Sequence, residues 1–310
     1  MSMLVTPVLL LLFNRPDATA QVFEQVRSQK PRQLFIAADG PRNGNREDAE
    51  NCRLVRELVS TTDWDCEVKT LFHDENLGCK LAPATAINWF FGHVESGIIL
   101  EDDCLANDSF FNFCEVLLQR YIHNQEVMMI CGTSYQEKPL TVDSYYFSRY
   151  PHVWGWATWK RAWAHYSFEL DKYSEAERLA VLSDVFSNKR EVRLWCDNMR
   201  MIVNGLNTWD YQWMYSIWKN NGVCIVPWKN MVTNIGFGQN ATHTTDQYST
   251  QSKMQRYDLA EIRHPAVIAV NEQADKYERY HILLDPPVQF YCNRIKHIVK
   301  RVVEKLSEKK

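Results

Sequence analysis

The 310-residue sequence predicts an α/β protein whose sheet is mostly parallel and flanked by helices. The first hundred residues alternate short apolar runs with helix-length amphipathic segments. The fourth apolar run, Gly97-Ile98-Ile99-Leu100, stops at three acids, Glu101-Asp102-Asp103. The second run stops at a turn-rich stretch, Asp39-Gly40-Pro41-Arg42-Asn43-Gly44-Asn45. Polar groups therefore gather at the carboxyl ends of strands, where open α/β sheets bind their ligands.

Residues 8–13 are apolar, too short to span a bilayer, and end at Asn14-Arg15-Pro16, so they form a strand. Asp17 is placed to cap a helix reaching about Ser28. A strand over 33–38, a helix over 46–60, a strand over 67–72, a helix over 80–91 and a strand over 97–100 follow. This order implies right-handed crossovers and a nucleotide-binding architecture. Beyond Asp103 the pattern predicts a helix over 109–123 and a strand near 127–131, then mixed, aromatic-rich segments. Residues 223–226 read as a short strand, 230–235 as extended chain, and Gly236-Phe237-Gly238-Gln239-Asn240 as a loop. No Gly/Ser linker divides the chain. The expectation is a compact domain over 1–250, with a nucleotide half (1–103) and an acceptor half (104–250), and a C-terminal extension over 251–310.

The net charge of −3 gives no case for nucleic acid as a partner. Nine scattered cysteines without a C-x-x-C pair, and no secretory signal, read as reduced, mostly buried thiols of a cytoplasmic protein. There is no G-x-G-x-x-G after the first strand and no Walker lysine, which argues against a dinucleotide dehydrogenase or a P-loop ATPase. Nine of the eleven tryptophans lie at or after Trp154; aromatic faces stack on sugars, but by number they fill cores more often. Trp159 and Trp163 read as one core-facing side of a helix. Residues 294–310 hold seven Lys/Arg against two Glu, either a basic amphipathic helix on an anionic membrane face or an ordinary solvated helix.

Three adjacent carboxylates repel one another and are costly beside a core unless a cation or protons compensate. Hard oxygen ligands suit Mg²⁺ or Mn²⁺, ions that keep positions open for substrate phosphates. Taken alone, the triplet also reads as a solvated acidic turn.

Several segments act together: Asn14-Arg15 after the first strand, Asp39-Gly40 after the second, His73 and Lys80 around the third crossover, Glu101-Asp102-Asp103, Trp154-Gly155-Trp156, Trp209-Asp210 and 236–243. In this order they resemble the nucleotide-sugar glycosyltransferases of GT-A fold, most closely the family of the Golgi N-acetylglucosaminyltransferase I, over roughly residues 6–245. The resemblance implies a UDP-sugar donor, a divalent ion held by Asp103, and a glycan or lipid-linked saccharide acceptor. Asp102 would then contact the ribose or the ion through water, and Glu101 the sugar. Asp39 would accept the uracil imide N–H, and Arg15 would lie against uracil or the diphosphate. His73 and Lys80 are candidates for the nucleotide and its phosphate. Trp209 would border the donor site, and His243 would close over the diphosphate. Asp210 is the expected general base, since an aspartate between Trp209 and Tyr211 is partly desolvated, and it also reads as a helix cap. The family carries a second aspartate where this chain has Tyr211. Gly155 would let backbone approach the donor or acceptor. A sugar-phosphate nucleotidyltransferase would instead need a Gly-rich, basic loop after the first strand, where this chain has Asn14-Arg15-Pro16-Asp17. A non-catalytic glycan-binding protein would explain the tryptophans but not the acidic triplet. Family members carry an N-terminal membrane anchor; with none in this sequence, a cytoplasmic enzyme, peripheral on the inner membrane face if the basic tail binds lipid, is expected.

Overall fold

The computed structural model describes residues 3–60, 62–237 and 254–284. Strand β1 (Val8–Leu12) is Val-Leu-Leu-Leu-Leu and buried throughout, as expected of a strand covered on both faces. It is followed by α1 (Pro16–Gln29), β2 (Gln33–Ala38), α2 (Arg46–Val59), β3 (Glu67–Phe72), α3 (Gly78–Phe91) and β4 (Ser96–Glu101). Pro16 opens α1 at its first turn, where a missing N–H costs nothing. Asp17 lies inside that turn and makes no cap, so the expected capping role falls away. Asn45 instead caps α2, accepting from the Asp48 N–H.

The chain continues through β5 (Cys104–Ala106), α4 (Asp108–Arg120), β6 (Val127–Cys131), β7 (Tyr145–Ser148), β8 (Trp156–Trp159) and α5 (Lys160–Trp163). Then come α6 (Glu175–Val185), α7 (Lys189–Val203), α8 (Asp210–Lys219), β9 (Val223–Pro227), β10 (Val232–Asn234) and α9 (Glu272–Glu278). The eight-stranded sheet has the order β3-β2-β1-β4-β8-β6-β9-β7, with β5 and β10 forming a separate pair. Strands β3, β2, β1 and β4 run parallel, whereas β8 enters antiparallel between β4 and β6.

Successive residues of β1 point to opposite faces. Val8, Leu10 and Leu12 pack with α1, α2 and α4, while Leu9 and Leu11 pack with α3, α5 and α8. Trp159 and Trp163 are core residues as expected, but Trp159 ends a strand rather than sharing a helix face with Trp163. Helices α6, α7 and α8 enclose a further cluster around Leu182, Trp195 and Trp218. Part of the expected extension packs onto the same body: Ser144 and Arg263 exchange hydrogen bonds, and Asp275 accepts from Ser148 Oγ at 2.7 Å. The basic segment 294–310 lies outside the described residues. Among the described residues all eight cysteines are free thiols, and no helix is long and apolar enough to cross a membrane.

One buried ion pair ties α9 to the connection between β7 and β8: His152 Nε2 stands 3.3 Å from Glu278 Oε2, both side chains almost fully enclosed. Burial alone would push the imidazole down, but the Glu278 carboxylate overrides it and carries His152 up to about 9. A folded-state value above the ordinary one stabilises the fold fully below about pH 6.5 and loses that contribution as pH rises through about 9. The denaturant midpoint is therefore expected to fall between pH 7 and 9.5. His152→Gln should flatten this dependence, measured by urea unfolding across the range.

Candidate active site

The chain leaves β1 toward β2 and β3, then returns to pair β4 on the other side of β1. The carboxyl ends of β1 and β4 thus form a topological switch point, the place where such sheets open a crevice. A cavity of about 330 Å³ lies there. Its apolar floor is made by Leu11, Ala37, Pro83 and Ala86, and its polar wall by Arg15, His73, Asn76, Glu101, Asp102 and Asn207.

Glu101 and Asp102 line this cavity, and Asp103 follows them at its border, outside the lining. Arg15, delivered by the turn between β1 and α1, bridges the acids. Its Nη1 is 2.6 Å from Asp103 Oδ2 and 3.3 Å from Asp102 Oδ1. Asn234 reaches Asp103 Oδ1 at 3.3 Å, and Ile235 N–H donates to the Asp103 carbonyl at 2.8 Å. The next residue, Gly236, passes so close to Asp103 Oδ2 that a Cβ there would collide with it. Burial, followed by the repulsion of Asp103, holds Glu101 and Asp102 above the ordinary carboxylate range, and Arg15 only partly offsets this.

Asp39 also lines the cavity, and its carboxylate is already engaged by protein donors. Its two carboxylate oxygens accept from Gly40 N, Leu77 N, Gly78 N and Asn76 Nδ2, all at 2.8–3.0 Å. A carboxylate has about four acceptor positions. All are taken by protein donors, so a uracil imide would have to displace one. Asp39 instead pins the amino end of α3 to the end of β2, where a negative charge also suits the helix dipole. Asp39→Ala takes the acceptor from the Leu77 and Gly78 N–H groups, and we expect a loss of about 2–3 kcal/mol in urea unfolding.

His73 lies on the cavity wall, and its buried Nε2 has no hydrogen-bond partner among the described residues. It is the open polar group that Asp39 is not. Lys80 does not face the cavity: its ammonium sits 4.5 Å over the Phe168 ring and 3.7 Å from Glu169. The expected phosphate contact of Lys80 is therefore replaced by packing against the loop after α5. His243 lies outside the described residues.

Asp210 is the first residue of α8, and its carboxylate accepts from Thr208 Oγ1. Neither side chain caps the helix backbone. Asp210 is near enough to the acidic triplet for its charge to contribute to the upward push on Glu101. Trp209, expected beside the donor, is buried in the core, stacked on Trp156 with ring centroids 5.7 Å apart. Gly155 has φ of +63° and packs against Val232, whose methyl carbon would stand 2.8 Å from a Cβ. Its missing side chain serves the strand packing rather than a ligand.

Asn76 and Asn207 were not evident in the sequence. Asn207 accepts from Lys80 N at 3.0 Å and so joins the amino end of α3 to the segment leading into Asp210. No local pattern marks such a contact, because its partners are 127 residues apart.

Three carboxylates thus crowd one strand end beside one guanidinium, and the charge of Asp210 reaches Glu101. Among the described residues no group of three or more His, Cys, Asp or Glu side chains is arranged to hold a metal ion by itself. The donor set is hard oxygen and negatively charged in excess, which fits Mg²⁺ or Mn²⁺ arriving with phosphate oxygens of its own.

No protein-family model and no curated protein matches the chain. Many solved structures are similar to it, among them two at low identity. HddC from Yersinia pseudotuberculosis is 12% identical, with 55% of this chain and 87% of that one covered and a TM-score of 0.33. The 4-diphosphocytidyl-2C-methyl-D-erythritolsynthase from Anaerococcus prevotii is 7% identical, with 70% and 97% covered and a TM-score of 0.33.

Proposed function

We propose that this protein is a metal-dependent, inverting glycosyltransferase that moves a sugar from a UDP-sugar to a hydroxyl of a glycan or lipid-linked saccharide. The observation that carries the reading is the meeting of Glu101, Asp102 and Arg15 at the mouth of the switch-point cavity, with Asp210 beside them. The apolar floor of the cavity suits a nucleobase, and His73 Nε2 is the open group for the base or ribose. Glu101 and Asp102 border the diphosphate and sugar.

As the acceptor oxygen attacks the anomeric carbon, Asp210 takes the hydroxyl proton. The bond from that carbon to the β-phosphate oxygen breaks, and its electron pair leaves with UDP. A single displacement inverts the anomeric configuration. Asp102 and Asp103 would hold a divalent ion, which when bound would neutralise the charge that develops on the leaving diphosphate.

A sugar-phosphate nucleotidyltransferase is the competing reading. Against it, Pro16 starts α1 three residues after Phe13, which leaves no phosphate-binding loop after β1. The test offers a panel of UDP-sugars with Mn²⁺ and measures UDP release, beside UTP or CTP with sugar 1-phosphates and pyrophosphate release. UDP release alone supports the proposal; pyrophosphate release alone overturns it.

A further inference from the structure

We infer that Arg15 is an internal counter-cation that must change partners before a divalent ion can bind, so that metal and nucleotide diphosphate enter as a coupled pair. The inference rests on the proposed function, since it concerns the same carboxylates. Its basis is geometric. Arg15 Nη1 stands 2.6 Å from Asp103 Oδ2 and 3.3 Å from Asp102 Oδ1, so one guanidinium holds the two carboxylates best placed for an ion. The other oxygen of Asp103 meets Asn234, and Gly236 backbone crowds the Arg15-bound one. Both Asp103 oxygens are thus engaged by protein groups, Oδ2 by Arg15 and Oδ1 by Asn234 and the Cys104 thiol, while this pair stands.

A metal ion alone would have to expel Arg15 from a site where the arginine side chain is itself three-quarters enclosed. The guanidinium would then lose its anions and face the metal's positive charge. A diphosphate removes both costs. Its oxygens are natural bidentate partners for the released guanidinium and ligands for the ion. Arg15 also lines the cavity, so a new partner lies within the same pocket. In the empty site Arg15 thus blocks the ion; in the loaded site it binds the diphosphate. Linkage makes the effect reciprocal: whatever UDP adds to metal affinity, metal adds to UDP affinity.

The test titrates Mn²⁺ into the wild-type protein, Arg15→Met and Arg15→Lys, with and without UDP, following free Mn²⁺ by its electron paramagnetic resonance signal. In the wild type UDP should raise Mn²⁺ affinity on the order of 10- to 100-fold. Arg15→Met should bind Mn²⁺ without UDP about tenfold or more tightly than the wild type, with most of the UDP effect gone. Arg15→Lys keeps a cation on the acids and should keep metal-only binding weak, which guards against a fold lost through bare carboxylates. Circular dichroism melting checks that each variant is folded. Equal metal-only affinity in Arg15→Met and wild type, with UDP coupling intact in both, overturns the exchange while leaving the metal site standing. No Mn²⁺ binding by any of the three, even with UDP, overturns the metal site and the exchange with it.

Discussion

Asp210→Asn is expected to lower turnover by about 10²–10⁴-fold while donor binding changes little. Asparagine keeps the shape of the side chain and can still accept the Thr208 hydroxyl bond, but it cannot take a proton. The effect should therefore appear in kcat rather than in KM for the donor. Position favours Asp210 over its neighbours. It heads α8, a helix whose body is anchored in the core by Trp213 and Ile217, and its charge reaches Glu101. Glu101 is the next candidate, and a variant with near-normal turnover would shift the role to it.

Asp102→Asn is expected to remove the metal-dependent part of nucleotide binding. Asp102 is the carboxylate that both faces the cavity and shares Arg15. Loss of outer partners of a metal site commonly costs 10- to 100-fold in affinity, so loss of a direct ligand should cost about 100-fold or more. Titration calorimetry of UDP in Mn²⁺ and in chelator should show the two affinities converging in the variant. The substitution removes a buried negative charge, so the fold should survive it. A variant that keeps the full Mn²⁺ effect would assign the ion to other residues.

The parallel half of the sheet was legible because β1, β2 and β4 are dominated by apolar runs that end in polar turns. That signal is local and strong for Val8–Leu12 and for Ser96–Glu101. The insertion of β8 was not legible. Trp156, Trp159 and Trp163 have spacings that also suit one side of a helix, and only pairing with Ile99 and Cys131 makes Trp156 part of a strand. Such pairing is a tertiary effect that overrides local pattern.

The site shows the same division. The acidic triplet and Arg15 could be found because a strand end carries them to one edge. Asp39 could be located but its role could not, since its donors at Asn76, Leu77 and Gly78 lie almost forty residues further along the chain. Lys80 and Trp209 sit beside the right segments but point elsewhere, Lys80 to Phe168 and Trp209 into the core. A sequence position sets which element bears a side chain; the packing of neighbouring elements sets where it points.

Stabilisation of the protein by UDP with Mn²⁺ against UDP with a chelator tests the central claim most directly. A ligand that binds only the folded state at 100 times its dissociation constant adds about 2.7 kcal/mol of stability. The account predicts a clear rise in melting temperature with UDP and Mn²⁺ together, and a much smaller one with UDP in chelator. Equal shifts in the two conditions, or no shift with either, would contradict it.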